Sequence, residues 1–329
     1  MSVKRLIFLK SPGDNVFVNQ ALEAALTEYV GEGEAALYLW SNSDAVVIGR
    51  NQDAYAECRV DALESAGGML ARRLSGGGAV WHDGGNLNFT FISCEKDEDK
   101  DANFGIVLSA LASLGIHAEL GGRNDLMLNG AKFGGSAYYR RDGKALHHGT
   151  VMVNTPPDAV ARYLTPPSEK FEGKAVKSVS SRVAPLESVL PGITVQNVAD
   201  ALRNAFAAAY PGAEMRVILP VSLGAERVMK WAGFFPRDDW RYGRRGAAVK
   251  RMPTEVFGER AVLRAVFDEN GFAGAELTSD SLDADGVSAV NALLAGKDTA
   301  AFPLAADKAE AAAKEAEKLR VRLKEEGCV

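Results

Sequence analysis

The spacing of apolar positions along the chain predicts a mixed α+β protein. In residues 15–30, Leu22, Leu26 and Tyr29 fall at i, i+4 and i+7 beside Ala21, Ala24 and Ala25, which makes one apolar helical stripe. Two apolar runs follow, residues 35–40 and 45–49, flanking the polar turn Ser41-Asn42-Ser43-Asp44, and read as a strand pair. Residues 60–66 read as a helix stopped by Gly67-Gly68, and residues 69–73 as a short strand. Residues 86–92 alternate polar and apolar with period two, the pattern of a strand. A charged loop over 95–101 precedes a helix over 104–114, which ends at Gly115. Residues 126–128 and 132–139 suit a hairpin around Asn129-Gly130, and 151–153 suit another strand. Short strands and hairpins thus outnumber βαβ units in the first half.

Beyond Pro156-Pro157 the periodicity weakens. Residues 195–210 form a helix that stops before Pro211-Gly212. Residues 231–251 mix aromatics, arginines and glycines without a period and read as a connector. Strands over 260–268 and 272–278 flank the turn Glu269-Asn270-Gly271. Helices over 283–294 and 305–326 close the chain, the last rich in Ala, Glu and Lys with i,i+4 charge pairs. The expected division is a large domain over residues 1–249 and a small one over 250–329.

Composition narrows the class. The 329 residues carry 38 Lys+Arg against 43 Asp+Glu, a net charge of −5, with 25% charged and 47% hydrophobic residues. Those are globular values, so global disorder and coiled coil are excluded. No apolar run approaches the roughly 20 residues of a membrane span. The start, Met1-Ser2-Val3-Lys4-Arg5, lacks the apolar stretch of a signal peptide, and a cytoplasmic location is expected. Cys58, Cys94 and Cys328 form no C-x-x-C pair, which argues against a disulfide framework or a cysteine zinc site. The slight acidity argues against non-specific nucleic-acid binding. Glycine stands out, because 16 of the 33 lie between Gly67 and Gly149.

That crowded quarter carries the candidate chemistry. In Arg72-Arg73-Leu74-Ser75-Gly76-Gly77-Gly78-Ala79-Val80-Trp81-His82-Asp83, three successive glycines let the backbone approach a ligand and present several N–H groups to one anion. The two arginines can add bidentate phosphate contacts, and this reading is favoured over a tight turn with surface arginines. The segment is neither a Walker A loop nor a dinucleotide-binding fingerprint. In Gly121-Gly122-Arg123-Asn124-Asp125-Leu126, Asp125 can hold a Mg²⁺ that accompanies a polyphosphate. Lys132 sits among small residues, including Gly134-Gly135-Ser136-Ala137, that leave its ammonium room to meet a phosphate or carboxylate. His147-His148-Gly149-Thr150 reads as a backbone turn lining a pocket, with one histidine packed and hydrogen-bonded. Adjacent strand side chains diverge, which disfavours a metal site there. No activated Ser or Cys nucleophile is evident.

Taken in order, these segments resemble the lipoate–protein ligase family: Arg72-Arg73 to Asn86, Gly122-Arg123-Asn124-Asp125-Leu126, Lys132 with Gly135-Ser136-Ala137, and His147-His148-Gly149-Thr150. Trp40 with Val47-Ile48-Gly49-Arg50, and Ser178-Val179-Ser180-Ser181-Arg182-Val183, resemble further family segments. The resemblance covers most of residues 15–210 and continues more loosely to the C-terminus, with residues 213–255 aligning poorly. It implies a catalytic domain built on a large mixed or antiparallel sheet of the biotin/lipoate ligase type, with a small α+β accessory domain. It also implies a two-step reaction. Lipoate and Mg-ATP give lipoyl-AMP and pyrophosphate, and a lysine of a lipoyl domain then takes the lipoyl group.

By the same resemblance Lys132 is the catalytic residue, beside the substrate carboxyl and α-phosphate. The nucleotide falls to Arg73, Gly76, Gly77, Gly78, Ala79, Val80, Trp81, Asn124, Asp125, His148, Gly149 and Thr150. The acyl substrate falls to Trp40, Arg50, Arg72, Ser75, His82 and Lys132, with Val47 and Val80 in the greasy slot, and Mg²⁺ to Asp125. Expected acceptors are apo lipoyl domains of E2 subunits and the glycine cleavage H protein, with the enzyme a monomer that uses neither nucleic acid nor membrane.

Three alternatives bear on this reading. An octanoyl transferase of the same fold would need a cysteine near the motif lysine, and none of the three cysteines matches. A biotin–protein ligase would carry a Gly-Arg-Gly-Arg type loop where Ser75-Gly76-Gly77-Gly78 stands. A silent lipoyl-domain binder would have no need of Arg73, Asp125 and Lys132 together. Gly243 and Gly246, within an aperiodic stretch, mark residues 231–251 as an expected hinge for the accessory domain.

Overall fold

The computed structural model describes residues 3–122, 124–165, 183–243, 248–300, 302 and 304–329. Arg123, Ser178 to Arg182 and Gly246 therefore lie outside the described residues. The strands are β1 Arg5–Lys10, β2 Glu34–Trp40, β3 Ala45–Ile48, β4 Met69–Arg72, β5 Val80–His82, β6 Asn86–Cys94, β7 Glu119–Gly121 and β8 Asp125–Leu128. They continue as β9 Ala131–Arg141, β10 Lys144–Met152, β11 Glu214–Val217, β12 Ala248–Val256, β13 Glu259–Asp268 and β14 Gly271–Ser279. Among the described residues an eight-stranded sheet runs β11-β1-β2-β6-β10-β9-β8-β7, so the fold is α+β with a large mixed sheet. β1 pairs in parallel with β11 and β2, and the rest of the sheet is antiparallel.

Both faces of this sheet are covered, which explains its composition. Leu6, Leu37, Phe89 and Phe91 pack against helices Lys100–Ser113 and Val195–Ala209. Ile7, Leu9, Tyr38 and Trp40 point the other way, against helices Val16–Tyr29 and Ala225–Phe234. A strand buried on both faces is apolar throughout, so β1 shows no alternation. β6 does alternate, yet its polar positions Asn86, Asn88 and Thr90 are buried too, and Asn88 lines the site described below.

Several sequence expectations are corrected. β2 and β3 do not pair: β3 lies in a small separate sheet, β4-β3-β5, parallel to β4 and antiparallel to β5. The helix expected from residue 104 starts at Lys100, where the Asp99 side chain accepts the Ala102 amide and ends the charged loop. His147 to Thr150 belong to the long strand β10, not to a turn. Among the described residues, the supposed connector holds regular structure: the end of helix Ala225–Phe234, the helical turn Asp238–Arg241 and the start of β12. Its polar positions face outward while Trp231 and Phe235 are buried, so the helix is amphipathic over too short a span to declare itself.

The Asn129-Gly130 turn does join β8 to β9, both residues having positive φ, 51° and 76°. The C-terminal sheet β12-β13-β14 has its own core, in which Leu263 and Leu277 meet Val290 and Leu319 of helices Ala284–Leu294 and Ala306–Glu325.

Candidate active site

A cleft of about 670 Å³, its mouth included, opens between the large sheet, the small sheet and helix Val16–Tyr29. Each wall follows from local geometry. On β5, Val80 and His82 point inward, so the intervening Trp81 must point out; it packs on Tyr163 at 5.2 Å between rings. On β10, His148 faces the cleft and His147 the opposite core, surrounded by Phe89, Phe104 and Tyr138. β9 and β10 cross closely: a Cβ on Gly134 would meet the Thr150 carbonyl oxygen at 2.1 Å. A Cβ on Gly135 would sit 3.2 Å from Lys132 Nζ, so glycine leaves the ammonium its space.

Lys132 lines the cleft and forms an ion pair with Asp125, Nζ to Oδ1 2.6 Å. Asp125 lies behind it, outside the lining, while Asn124 reaches the cleft and ties its loop to the carbonyl of Ser136. The glycine loop forms the facing wall through Gly77, Gly78 and Ala79. Buried Arg73 shapes it by donating to the carbonyls of Val47 (3.1 Å), Gly76 (2.6 Å) and Gly78 (2.8 Å). Burial lowers its pKa to about 10, which leaves it charged at neutral pH. Gly77 takes φ +87°, and Gly49 must be bare because a Cβ there would meet the Gly77 carbonyl oxygen at 2.2 Å.

A relay of hydrogen bonds joins this loop to the deep wall. Arg73 Nε donates to Ser75 Oγ (3.1 Å), and Ser75 Oγ lies 2.7 Å from His148 Nε2. His148 Nδ1 is 2.9 Å from Glu23 Oε1, which also accepts from Thr90 Oγ1 (2.6 Å). Thr90 in turn accepts from Trp40 Nε1 at 3.1 Å. Six side chains from five distant parts of the chain thus hold one another's orientation.

The structure brings twelve expected site residues to one cleft: Trp40, Arg73, Gly77, Gly78, Ala79, Val80, His82, Asn124, Lys132, His148, Gly149 and Thr150. Val47 joins them, while Ser75 stands just behind the wall through His148. Arg72, Arg50, Gly76 and Trp81 are elsewhere. The Arg72 guanidinium points away from the cleft and caps the carbonyls of Arg50 (2.9 Å), Gln52 (2.6 Å), Trp240 (2.6 Å) and Arg241 (3.0 Å). Arg50 pairs with Asp285 of the C-terminal part at 2.7 Å. Gly76 abuts that part as well, since a Cβ would meet the Ser281 carbonyl oxygen at 2.1 Å.

Three lining residues escaped the sequence reading: Gln20, Glu23 and Asn88. Their signal was a polar residue at a buried position of an otherwise apolar face.

Known proteins resemble this chain in sequence and in fold. The lipoyl protein ligase A/B catalytic domain model matches residues 15–207. A lipoate-protein ligase A of Psychrobacter cryohalolentis is 39% identical over 247 residues, 73% of each chain. LipL1 of P. falciparum, in complex with lipoate, has TM-score 0.72 at 27% identity and covers 88% of this chain and 89% of its own. A lipoate-protein ligase A bound with ATP has TM-score 0.63 at 27% identity, covering 74% of this chain and 99% of its own. A bipartite lipoate protein ligase of Thermoplasma acidophilum, described together with its E2 lipoyl domain, has TM-score 0.64 at 28% identity. It covers 75% of this chain and 100% of its own. Fold and site together define a ligase. The chain belongs to the lipoyl protein ligase A/B family, alongside lipoate–protein ligases.

Proposed function

We propose that this ligase carries out ATP-dependent lipoylation in two steps within the one cleft. In the first, a lipoate carboxylate oxygen attacks the α-phosphorus of ATP, and pyrophosphate leaves with the electron pair of the broken P–O bond. In the second, a lysine amine of a lipoyl domain attacks the acyl carbonyl, AMP leaves, and the amine loses its proton to solvent. The observation that carries the reading is the Lys132 ammonium within a cleft that also holds Trp40, Val47 and Val80. A fixed cation offsets the repulsion between carboxylate and phosphate and stabilises the charge of the pentavalent centre. The side-chain-free backbone of Gly77 and Gly78 lines the same space and leaves phosphate oxygens room to approach closely. Arg73 supports the nucleotide indirectly, by fixing that loop.

Mg²⁺ belongs to this proposal. Among the described residues no group of three His, Cys, Asp or Glu is placed to hold a metal. A single carboxylate fits an ion that keeps several waters and takes phosphate oxygens for the rest. Asp125 would be its protein ligand, and the bound ion would neutralise phosphate charge. The proposed acceptors are lipoyl domains of E2 subunits and the glycine cleavage H protein. We place the enzyme in the cytoplasm as a monomer, with domains over 1–249 and 250–329. No helix among the described residues is long and apolar enough to cross a membrane.

The test is to incubate the protein with lipoate, ATP, Mg²⁺ and an apo lipoyl domain and to weigh the acceptor. Its mass should rise by one lipoyl group, only with ATP, and not with Lys132→Ala. Transfer from an octanoyl carrier protein without ATP would favour the transferase instead. Against that, Cys58, Cys94 and Cys328 are all buried and none lines the cleft, and burial pushes the Cys58 thiol up to about 12.

A further inference from the structure

Two polar side chains lining the cleft have no part in the relay that orders the rest. Gln20, on helix Val16–Tyr29, is 1% exposed, and neither its Nε2 nor its Oε1 has a protein partner among the described residues. His82, on β5, is 3% exposed, and its Nε2 likewise has none. A buried, unpaired polar group is costly enough to need a reason.

The protonation of His82 follows from its neighbours. Asn19 Nδ2 donates to two backbone carbonyls, Ser41 at 2.9 Å and Gly13 at 3.3 Å, and carbonyls can only accept. The amide of Asn19 is therefore fixed, and the Asn42 atom 2.9 Å away must be its oxygen. Asn42 then turns its NH₂ toward His82 Nδ1 at 2.8 Å, which makes Nδ1 an acceptor. Burial pulls the imidazole pKa down to about 3, helped by Arg73 and His148, so the ring is neutral. Its one proton is on Nε2, and that N–H lies at the cleft. A chain of three amide and ring groups, anchored on backbone, thus presents a fixed donor to the ligand space.

We propose that the His82 Nε2–H and the Gln20 carboxamide select an acyl group that carries sulfur acceptors, the dithiolane ring of lipoate, over a saturated tail of similar shape. The inference rests on the lipoylation reading above and adds the residues that decide its acyl specificity. A disulfide sulfur is a weak hydrogen-bond acceptor, whereas a hydrocarbon tail has none and leaves both donors without a ligand partner. Discrimination then comes chiefly from the penalty on the wrong acid, which a purely apolar slot cannot impose. One such unpaired group corresponds to about a tenfold change in kcat/KM.

The experiment compares lipoate, octanoate and cyclopentyl-pentanoate, in which methylenes replace both ring sulfurs, by ATP-dependent pyrophosphate release with the full chain. Wild type should favour lipoate over the cyclopentyl acid by about tenfold or more. Gln20→Leu should shrink that ratio by about tenfold, through faster use of the sulfur-free acids. Equal use of lipoate and the cyclopentyl acid by wild type, or an unchanged ratio in Gln20→Leu, overturns the proposal. Because the cyclopentyl comparison uses the native chain, poor folding of a variant cannot obscure it. Calorimetric binding of the three acids without ATP gives the same ratios independently of turnover. Absence of turnover with every acid, while binding still discriminates, would sink the lipoylation reading and leave the selectivity standing.

Discussion

The two long walls of the cleft differ in how their polar groups are satisfied. On the glycine-loop wall the Arg73 guanidinium meets three carbonyls of its own surroundings, and Gly77 N–H donates to the Ser281 carbonyl at 3.1 Å. On the helical wall Gln20 has no protein partner among the described residues, three residues from Glu23, whose Oε1 meets both Thr90 and His148. A satisfied group is part of the scaffold, and changing it should cost stability. A group left open belongs to the ligand, and changing it should move specificity.

The largest effect that sharpens this contrast is expected at Lys132, whose ammonium, among the described residues, pairs with partly exposed Asp125. Lys132→Ala should lower acyl-adenylate formation by about 1,000-fold with little change in melting temperature. A variant that instead melts early would make Lys132 part of the scaffold. Arg73→Met should cost stability, leaving three buried carbonyls unpaired at roughly 3 kcal/mol in urea unfolding. Wild-type stability in that variant would break the distinction between the walls.

Acid should act through the buried histidines. His82 and His147 are both depressed to about 3 by burial, below the unfolded value near 6.5. The unfolded chain binds their protons first, so the stability they contribute is complete above about pH 6.5 and is lost as pH falls toward 3. At pH 5 each should have removed about 2 kcal/mol. His147→Phe, which suits the aromatic surroundings, should halve the loss of stability between pH 7 and 5; an unchanged acid profile would count against this origin.

The smallest effects separate two glycines of the loop region. Gly49→Ala collides with the Gly77 carbonyl and should cost about 2 kcal/mol, whereas Gly78→Ala meets nothing within 4 Å and should shift stability by under about 0.5 kcal/mol. The same Gly78→Ala should still raise KM for ATP, since a methyl there narrows the phosphate-facing wall. Equal melting of the two variants would refute the close approach at Gly49.

Arg72 and Arg73 show how far the sequence could be read. As neighbours beside a glycine cluster they promise the same chemistry. Yet one caps the backbone of another segment and the other faces the cleft, because successive strand residues point to opposite sides. His147 and His148 divide in the same way. Asn88 and Thr90 were visible as the polar half of an alternating strand, but only the partner elements show that this half is buried against a ligand space. Gln20 and Glu23 were hidden inside a helix whose apolar stripe satisfied the periodicity without them.

The sequence alone determined the elements with strong local signals: the capped helices, the Asn129-Gly130 hairpin, and the crowding of glycine where backbone must lie bare. Local signals suffice there because the relevant forces act over a few residues, through periodicity, capping and φ > 0. It also determined the family, since the ordered motifs Arg72 to Asn86, Asn124-Asp125, Lys132 and His147 to Thr150 are specific as a set. Only the tertiary structure decided which of two adjacent side chains meets the ligand and which polar groups have partners. Those depend on strand facing and on contacts between residues such as Glu23, Ser75 and His148, which the chain brings together from far apart.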